Sequence, residues 1–127
     1  MPKRIGAVLA GLAVFAALEF IASRAAIANW PAYALAAPAR AYSFDMLLIR
    51  LLVGAMGTFA SGAVATRVAS RNLQASLWFG FALLLLSVIL HYFIWDQYPV
   101  WYHFSWFACI VPSAILGGKL FGRARQQ

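Results

Sequence analysis

The chain has 127 residues, of which 65% are apolar or aromatic and 10% are charged. Soluble domains carry about 45–50% and about 25% of these classes, so the composition excludes an ordinary water-soluble domain. The net charge of +7 does not indicate nucleic-acid binding, because the basic residues flank apolar stretches instead of following one face. We therefore expect an integral membrane protein whose main partner is the lipid bilayer.

Four apolar stretches follow one another along the chain, at residues 5–23, 44–66, 73–95 and 101–121. Each is close to the roughly 20 residues with which an α-helix crosses a hydrocarbon core of about 30 Å. In lipid every backbone polar group needs an internal partner, and four segments are too few to close a β-barrel. The sequence therefore predicts an all-α, polytopic membrane protein over residues 1–127, with four transmembrane helices in an antiparallel bundle.

The basic residues predict the orientation of this bundle. Only Arg24 and Arg40 flank the span ends that would face outward, and by the positive-inside rule the more basic side is cytoplasmic. Both termini are then cytoplasmic, in a membrane that we expect to be a bacterial inner membrane. The residues on the cytoplasmic side are Lys3, Arg4, Arg67, Arg71, Lys119, Arg123 and Arg125.

The first segment has two interpretations. A basic start, an apolar run and Ala26-Ile27-Ala28 before Asn29 also match a cleaved secretory signal. We favour an uncleaved span, because Glu19 falls within the run and the run reaches the length of a span if a partner neutralises this acid. The outer loop at residues 24–43 is apolar, with two prolines and three aromatic residues, and is expected to lie along the membrane surface or to cover the helix ends as a lid.

Placing an ionisable side chain inside a span costs free energy, so each such residue needs an explanation. At a rise of about 1.5 Å per residue, Glu19 lies roughly 6 Å and Arg50 roughly 9 Å below the outer ends of their spans. Arg50 shares its helical face with small residues, a pattern typical of close helix packing in lipid. Glu19 is the acid at matching depth, so we expect an intramembrane ion pair between Glu19 and Arg50.

The remaining polar residues predict a site near the outer leaflet. His91 follows Ser76, Gly80 and Ser87 along one face of the third span, and His103 begins the fourth, so the two imidazoles are expected to approach each other. Metal or haem ligation and a proton relay are conceivable uses of the pair, although two histidines twelve residues apart do not form a full ligand set. The predicted outer-leaflet polar site consists of Asp45, His91, Asp96 and His103.

Two further residues of the fourth span are notable. Pro112 removes one backbone hydrogen bond and predicts a kink, either as a packing bend or as a hinge. Cys109 is the only cysteine, so it excludes an intrachain disulfide and is expected to be a packing residue.

The general plan is similar to that of the small multidrug exporters, which also have four short spans and a glutamate in the first, here in Ala17-Leu18-Glu19-Phe20. The long first loop, Arg50 and the two histidines depart from that pattern, so neither membership nor coupled proton antiport is inferred.

No catalytic signature is present in the sequence. The preferred hypothesis is an accessory or assembly-forming subunit of the membrane, as a homo-oligomer or within a larger complex. The first alternative is a small oligomeric transporter or channel with an outer-leaflet polar site, which needs a second copy because four helices enclose little space. The second is a metal- or haem-binding membrane subunit. The sequence does not identify a cofactor.

Overall fold

The computed structural model describes residues 2–122 of the chain. Helices α1, α3, α4 and α5 are long and apolar enough to cross a membrane, and the described residues contain no β-strand. The prediction of an all-α membrane protein with four spanning helices is therefore confirmed. The helices are α1 (Pro2–Asn29), α2 (Pro31–Ala36), α3 (Phe44–Val68), α4 (Gln74–Phe93) and α5 (Val100–Gly117), with a 3₁₀ turn at Trp95–Gln97 and a π-helical turn at Gly118–Gly122.

The segment at residues 24–43, which was predicted to be a loop, is partly helical in the structure. Helix α1 continues to Asn29, whose side-chain amide donates a hydrogen bond of 2.8 Å to the carbonyl of Ala25. The alanines of this segment have the highest helix propensity of any residue, which favours the continuation. Helix α2 then begins at Pro31, a residue preorganised for the first helical position. Only Trp30 and residues 37–43 of this segment are outside a helix.

The four spanning helices form a bundle in which α3 packs most extensively on α1 and α5, while α4 packs on α5 and less on α1. Helix α1 thus lies between α3 and α4. We call the end of the bundle that carries α2 and the 3₁₀ turn the α2 end. Phe79 of α4 and Ile110 of α5 are fully buried at the centre.

Small residues allow α3 and α5 to approach closely. A Cβ atom added at Gly62 would overlap the backbone carbonyl of Ala114, and one at Gly117 would overlap that of Phe59. Close backbone approach of this kind is what drives helix association in lipid, where the hydrophobic effect is absent. The prediction that the small face of α3 points into the bundle is confirmed by burial of Gly54, Gly57, Thr58, Ser61, Gly62 and Ala65.

At the end opposite α2, the α3–α4 turn lies close to the π-helical turn at Gly118–Gly122. Ser70 and Arg71 have positive φ angles of 56° and 67°, which reverse the chain within a few residues. Arg67 Nε donates a 2.8 Å hydrogen bond to the carbonyl of Phe121, so the end of α3 and the π-helical turn are adjacent. Arg123 and Arg125, which the orientation argument also uses, are outside the described residues.

Helix α5 continues without interruption through Pro112, which lies on its exposed side. Cys109 is half-buried and unbridged on the same helix.

Candidate functional site: a polar cavity at the α2 end

A cavity of about 540 Å³ lies between the spanning helices at the α2 end. This volume is within the range of about 300–1,000 Å³ that is common for small-molecule sites. Its walls are mostly apolar, with a few polar groups contributed by every helix, an arrangement typical of binding pockets. The polar and amphipathic lining residues are Glu19, Ser23, Trp30, Tyr33, Arg50, Ser87, His91, Tyr102 and Trp106.

Among the described residues that line the cavity, Arg50 is the one cation, and tyrosines surround it. Its Nη1 donates a hydrogen bond of 2.5 Å to the hydroxyl of Tyr33, which is 3% exposed. Its guanidinium carbon lies 4.8 Å from the ring centroid of Tyr42 and 6.0 Å from that of Tyr98. Such contacts stabilise a cation by about 0.5–2 kcal/mol each. The ring of Tyr102 stacks on that of Tyr98, with 5.1 Å between the centroids. We call Tyr33, Tyr42, Tyr98 and Tyr102 the tyrosine cluster.

The tyrosine cluster holds Arg50 without supplying a negative charge. Tyr42 lies between α2 and α3, where burial raises the pKa of its hydroxyl to about 12 against the opposing effect of Arg50. Its hydroxyl is therefore protonated at neutral pH. The rings of Tyr33 and Tyr42 are 5.1 Å apart and those of Tyr42 and Tyr98 are 6.1 Å apart, so the cluster joins α2 to the turn before α5. Arg40 also donates a hydrogen bond to the side chain of Gln97.

Glu19 and Arg50 line the same cavity, but no hydrogen bond joins them among the described residues. The Oε1 atom of Glu19 packs against α3 and would lie 3.3 Å from a Cβ atom at Gly57. This Oε1 and the Nε atom of Arg50 are both buried without a hydrogen-bond partner. The expected charge-assisted bond between Glu19 and Arg50 is thus not formed in the structure. The physical reason is that the guanidinium donates its hydrogen bond to the hydroxyl of Tyr33 instead. The absence of a side chain at Gly57 leaves room for the carboxyl group between the helices.

His91 and His103 do approach each other, with 2.6 Å between their Nδ1 atoms. His103 is fully buried, and its Nε2 lies 3.0 Å from the carbonyl oxygen of Trp95. A carbonyl only accepts, so the hydrogen-bond network of a neutral pair assigns a proton to His103 Nε2 and leaves its Nδ1 as the acceptor. His91 then carries its proton on Nδ1. The Nε2 atom of His91, a residue of the cavity lining, is consequently a hydrogen-bond acceptor.

This arrangement does not favour metal or haem ligation by the two histidines. Both nitrogens of His103 are in hydrogen bonds, so only one imidazole nitrogen of the pair has a free lone pair. Within residues 2–122, no group of three or more His, Cys, Asp or Glu is placed to hold a metal ion.

Asp45 and Asp96 do not join the cavity. Both side chains are exposed. Asp45 lies in the first turn of α3, where a carboxylate is stabilised by the helix dipole, and Asp96 lies in the 3₁₀ turn. Of the four residues predicted for the outer-leaflet site, the structure brings only the two histidines together.

The tyrosine cluster and a polar contact deeper in the cavity were not predicted from the sequence. Trp106 Nε1 donates a 3.2 Å hydrogen bond to the hydroxyl of Ser87. The signal for the cluster was present, because an arginine inside a span needs hydrogen-bond or aromatic partners, and tyrosines occur on both sides of it in the sequence.

We expect Glu19→Ala to lower the yield of folded protein more than the double variant Glu19→Ala, Arg50→Leu does. The single change removes the acid of the described cavity lining and leaves a half-buried cation, whereas the double change removes both charges. The yield is measured as the fraction of detergent-extracted protein that is monodisperse, and a several-fold difference is expected. Glu19→Ala with Arg24→Leu is the matched control, because Arg24 is exposed on the same helix. Equal yields of the single and the first double variant would show that the charges of Glu19 and Arg50 are uncoupled.

The fold and the cavity together define an integral membrane protein with a polar chamber among its spanning helices. Comparison with known protein families, with curated proteins and with solved structures finds no match for this chain.

Proposed function

We propose that this protein binds a small molecule inside the membrane, as a carrier or a small transporter. The observation that carries the proposal is the cavity of about 540 Å³, in which Glu19, Arg50 and His91 present a carboxyl group, a cation and a hydrogen-bond acceptor. Polar groups at membrane depth are retained in protein interiors chiefly where they serve a ligand or an ion. Four helices were expected to enclose little space, but the cavity lies within one chain. Binding therefore does not require a second copy.

We further propose that the α2 end faces outward in a bacterial inner membrane, with both chain ends cytoplasmic. Arg67 and Arg71 lie at the end opposite α2, next to the π-helical turn that carries Lys119. Lys3 and Arg4 begin α1, whose other end leads into α2. The positive-inside rule then gives the orientation. The tyrosine cluster would lie at the outer interface, where tyrosine rings are enriched.

A variant that fills the cavity tests the binding function. Ala22 lines the cavity from α1, whereas Ala17 is exposed on the same helix and is not part of the lining. We expect Ala22→Phe to abolish a small-molecule adduct that co-purifies with the wild-type chain, and Ala17→Phe to retain it. The measurement is native mass spectrometry of protein extracted in mild detergent. If wild type and Ala17→Phe both lack an adduct under conditions that keep the protein folded, the binding function is contradicted.

A role as an accessory subunit is the second candidate. Helix α1 buries only Ala7 and Gly11 among its 28 residues. An apolar groove between α1 and α4, lined in part by Val8 and Trp78, offers a place for a further helix near the end opposite α2. Co-purification of one stable partner at fixed stoichiometry would support this role, and loss of that partner in Val8→Trp would place it on the groove.

A further inference from the structure

The cavity is partly open, and its lining includes side chains on the surface of the spanning helices. Among its lining residues, the large side chains that are exposed are all apolar, namely Ile49, Leu86 and Leu90, at 46%, 45% and 62%. The polar lining residues are buried or half-buried. Ile49 belongs to α3 and the two leucines to α4, so the openings lie on either side of α1. These exposed side chains belong to spanning helices, which are surrounded by the hydrocarbon core of the membrane.

The α2 end, by contrast, is covered. Tyr33 is the buried residue of α2, and the ring stack of Tyr42 on Tyr98 connects the segment after α2 to the turn before α5. Arg40 and Gln97 bond across the same gap. A molecule in the water outside would have to displace this cover, whereas a molecule in the membrane meets an apolar opening beside α1. The geometry therefore favours an amphipathic ligand.

The polar groups of the cavity specify the headgroup of such a ligand. Arg50 supplies a positive charge, and Glu19 supplies a carboxyl group that no hydrogen bond connects to it. His91 Nε2 adds a neutral acceptor. A headgroup with one negative and one positive group complements this arrangement, because its phosphate pairs with the guanidinium and its ammonium donates to the carboxylate and to the imidazole.

Building on the proposed binding function, we propose that the ligand is an aminophospholipid of the outer leaflet, which enters beside α1 and places its headgroup between Arg50 and Glu19. The acyl chains remain in the membrane against Leu86 and Leu90. A primary ammonium donates hydrogen bonds that a trimethylammonium does not, and an anionic glycerol headgroup has no cation for Glu19. The site thus distinguishes phosphatidylethanolamine from phosphatidylcholine and from phosphatidylglycerol.

Native mass spectrometry of the delipidated full chain tests this proposal with the three lipids at equal concentration. We expect phosphatidylethanolamine to occupy the wild-type protein about tenfold more than either other lipid, since one charge-assisted hydrogen bond is worth about a factor of ten or more. Glu19→Gln should reduce the preference over phosphatidylglycerol several-fold. Arg24→Leu, which changes an exposed arginine outside the cavity, should leave it unchanged. The comparison of lipids on the wild type needs no variant, so it remains decisive if Glu19→Gln does not fold.

Competition with soluble phosphoethanolamine tests whether the site binds the whole lipid or only its headgroup. The soluble headgroup should not compete with phosphatidylethanolamine at matched concentration, because it gains nothing from the apolar openings. Binding of phosphatidylcholine or phosphatidylglycerol as strong as that of phosphatidylethanolamine, or effective competition by soluble phosphoethanolamine, would overturn the proposal. Retention of some other adduct that Ala22→Phe abolishes would then leave the binding function intact, whereas absence of every adduct would overturn both.

Discussion

Gly62→Leu is expected to prevent stable folding of the bundle. At this position α3 and α5 are so close that even a Cβ atom would overlap the backbone carbonyl of Ala114. Backbone cannot move aside as a flexible side chain can, so the two helices must separate along the face that holds the bundle together. Overpacking of ordinary cores costs about 1–3 kcal/mol, and here we expect more than about 3 kcal/mol. The measurement is the free energy of unfolding in mixed micelles titrated with a denaturing detergent.

Gly6→Leu is the matched control for this prediction. Gly6 lies in the spanning helix α1, and an added Cβ atom there has no heavy atom within 4 Å beyond its chain neighbours and the backbone of its own helix. The same substitution therefore adds the same side chain and the same gain in helix propensity without a collision. The Gly6 variant should match the wild type within about 0.5 kcal/mol or exceed it. Similar destabilisation of both variants would mean that the close contact of α3 with α5 is not what stabilises the bundle.

The helices could be predicted because hydropathy and residue size act locally. Long apolar stretches in a charge-poor chain allow few structures other than spanning helices. The small face of α3, which includes Gly54 and Gly62, is visible at helical spacing, and its burial follows from the need for close packing in lipid. The extension of α1 to Asn29 was less evident, since prolines and aromatic residues nearby favoured a loop. The alanines before Asn29 were the available signal.

The site was harder to predict, because depth in the membrane does not determine contact. Glu19 and Arg50 were assigned to similar depths, and both reach the cavity. Whether the two side chains bond directly depends on the directions in which they point. Tyr33 and Gly57 determine these directions, and depth in the membrane contains no information about either contact. Asp45 was predicted for the site from its place at the outer rim of the second span, but its side chain is exposed in the first turn of α3 and does not enter the cavity.

His103→Leu is expected to destabilise the folded protein by about 2–4 kcal/mol. His103 is fully buried and makes two hydrogen bonds, one with Trp95 and one with His91. Leucine fills similar space but leaves the carbonyl of Trp95 and the Nδ1 proton of His91 without a partner. Each orphaned group costs about 1–3 kcal/mol, and the sum is reduced because His91 is half-buried and Trp95 is exposed in the 3₁₀ turn. The same detergent titration measures this loss.

The assigned tautomers give the prediction a second readout. Selective labelling of the imidazole nitrogens should show His103 protonated at Nε2 and His91 protonated at Nδ1, because the fixed acceptor at Trp95 determines the direction of both hydrogen bonds. In His103→Leu the preference of His91 for Nδ1 should be lost, while Tyr92→Leu, a change at an exposed residue of α4, should affect neither the tautomers nor the stability. An unchanged His91 tautomer together with a stability loss below about 0.5 kcal/mol would show that the pair does not order the α2 end. A loss of the expected size would instead show that the imidazole pair supports the cavity wall on which His91 acts as an acceptor.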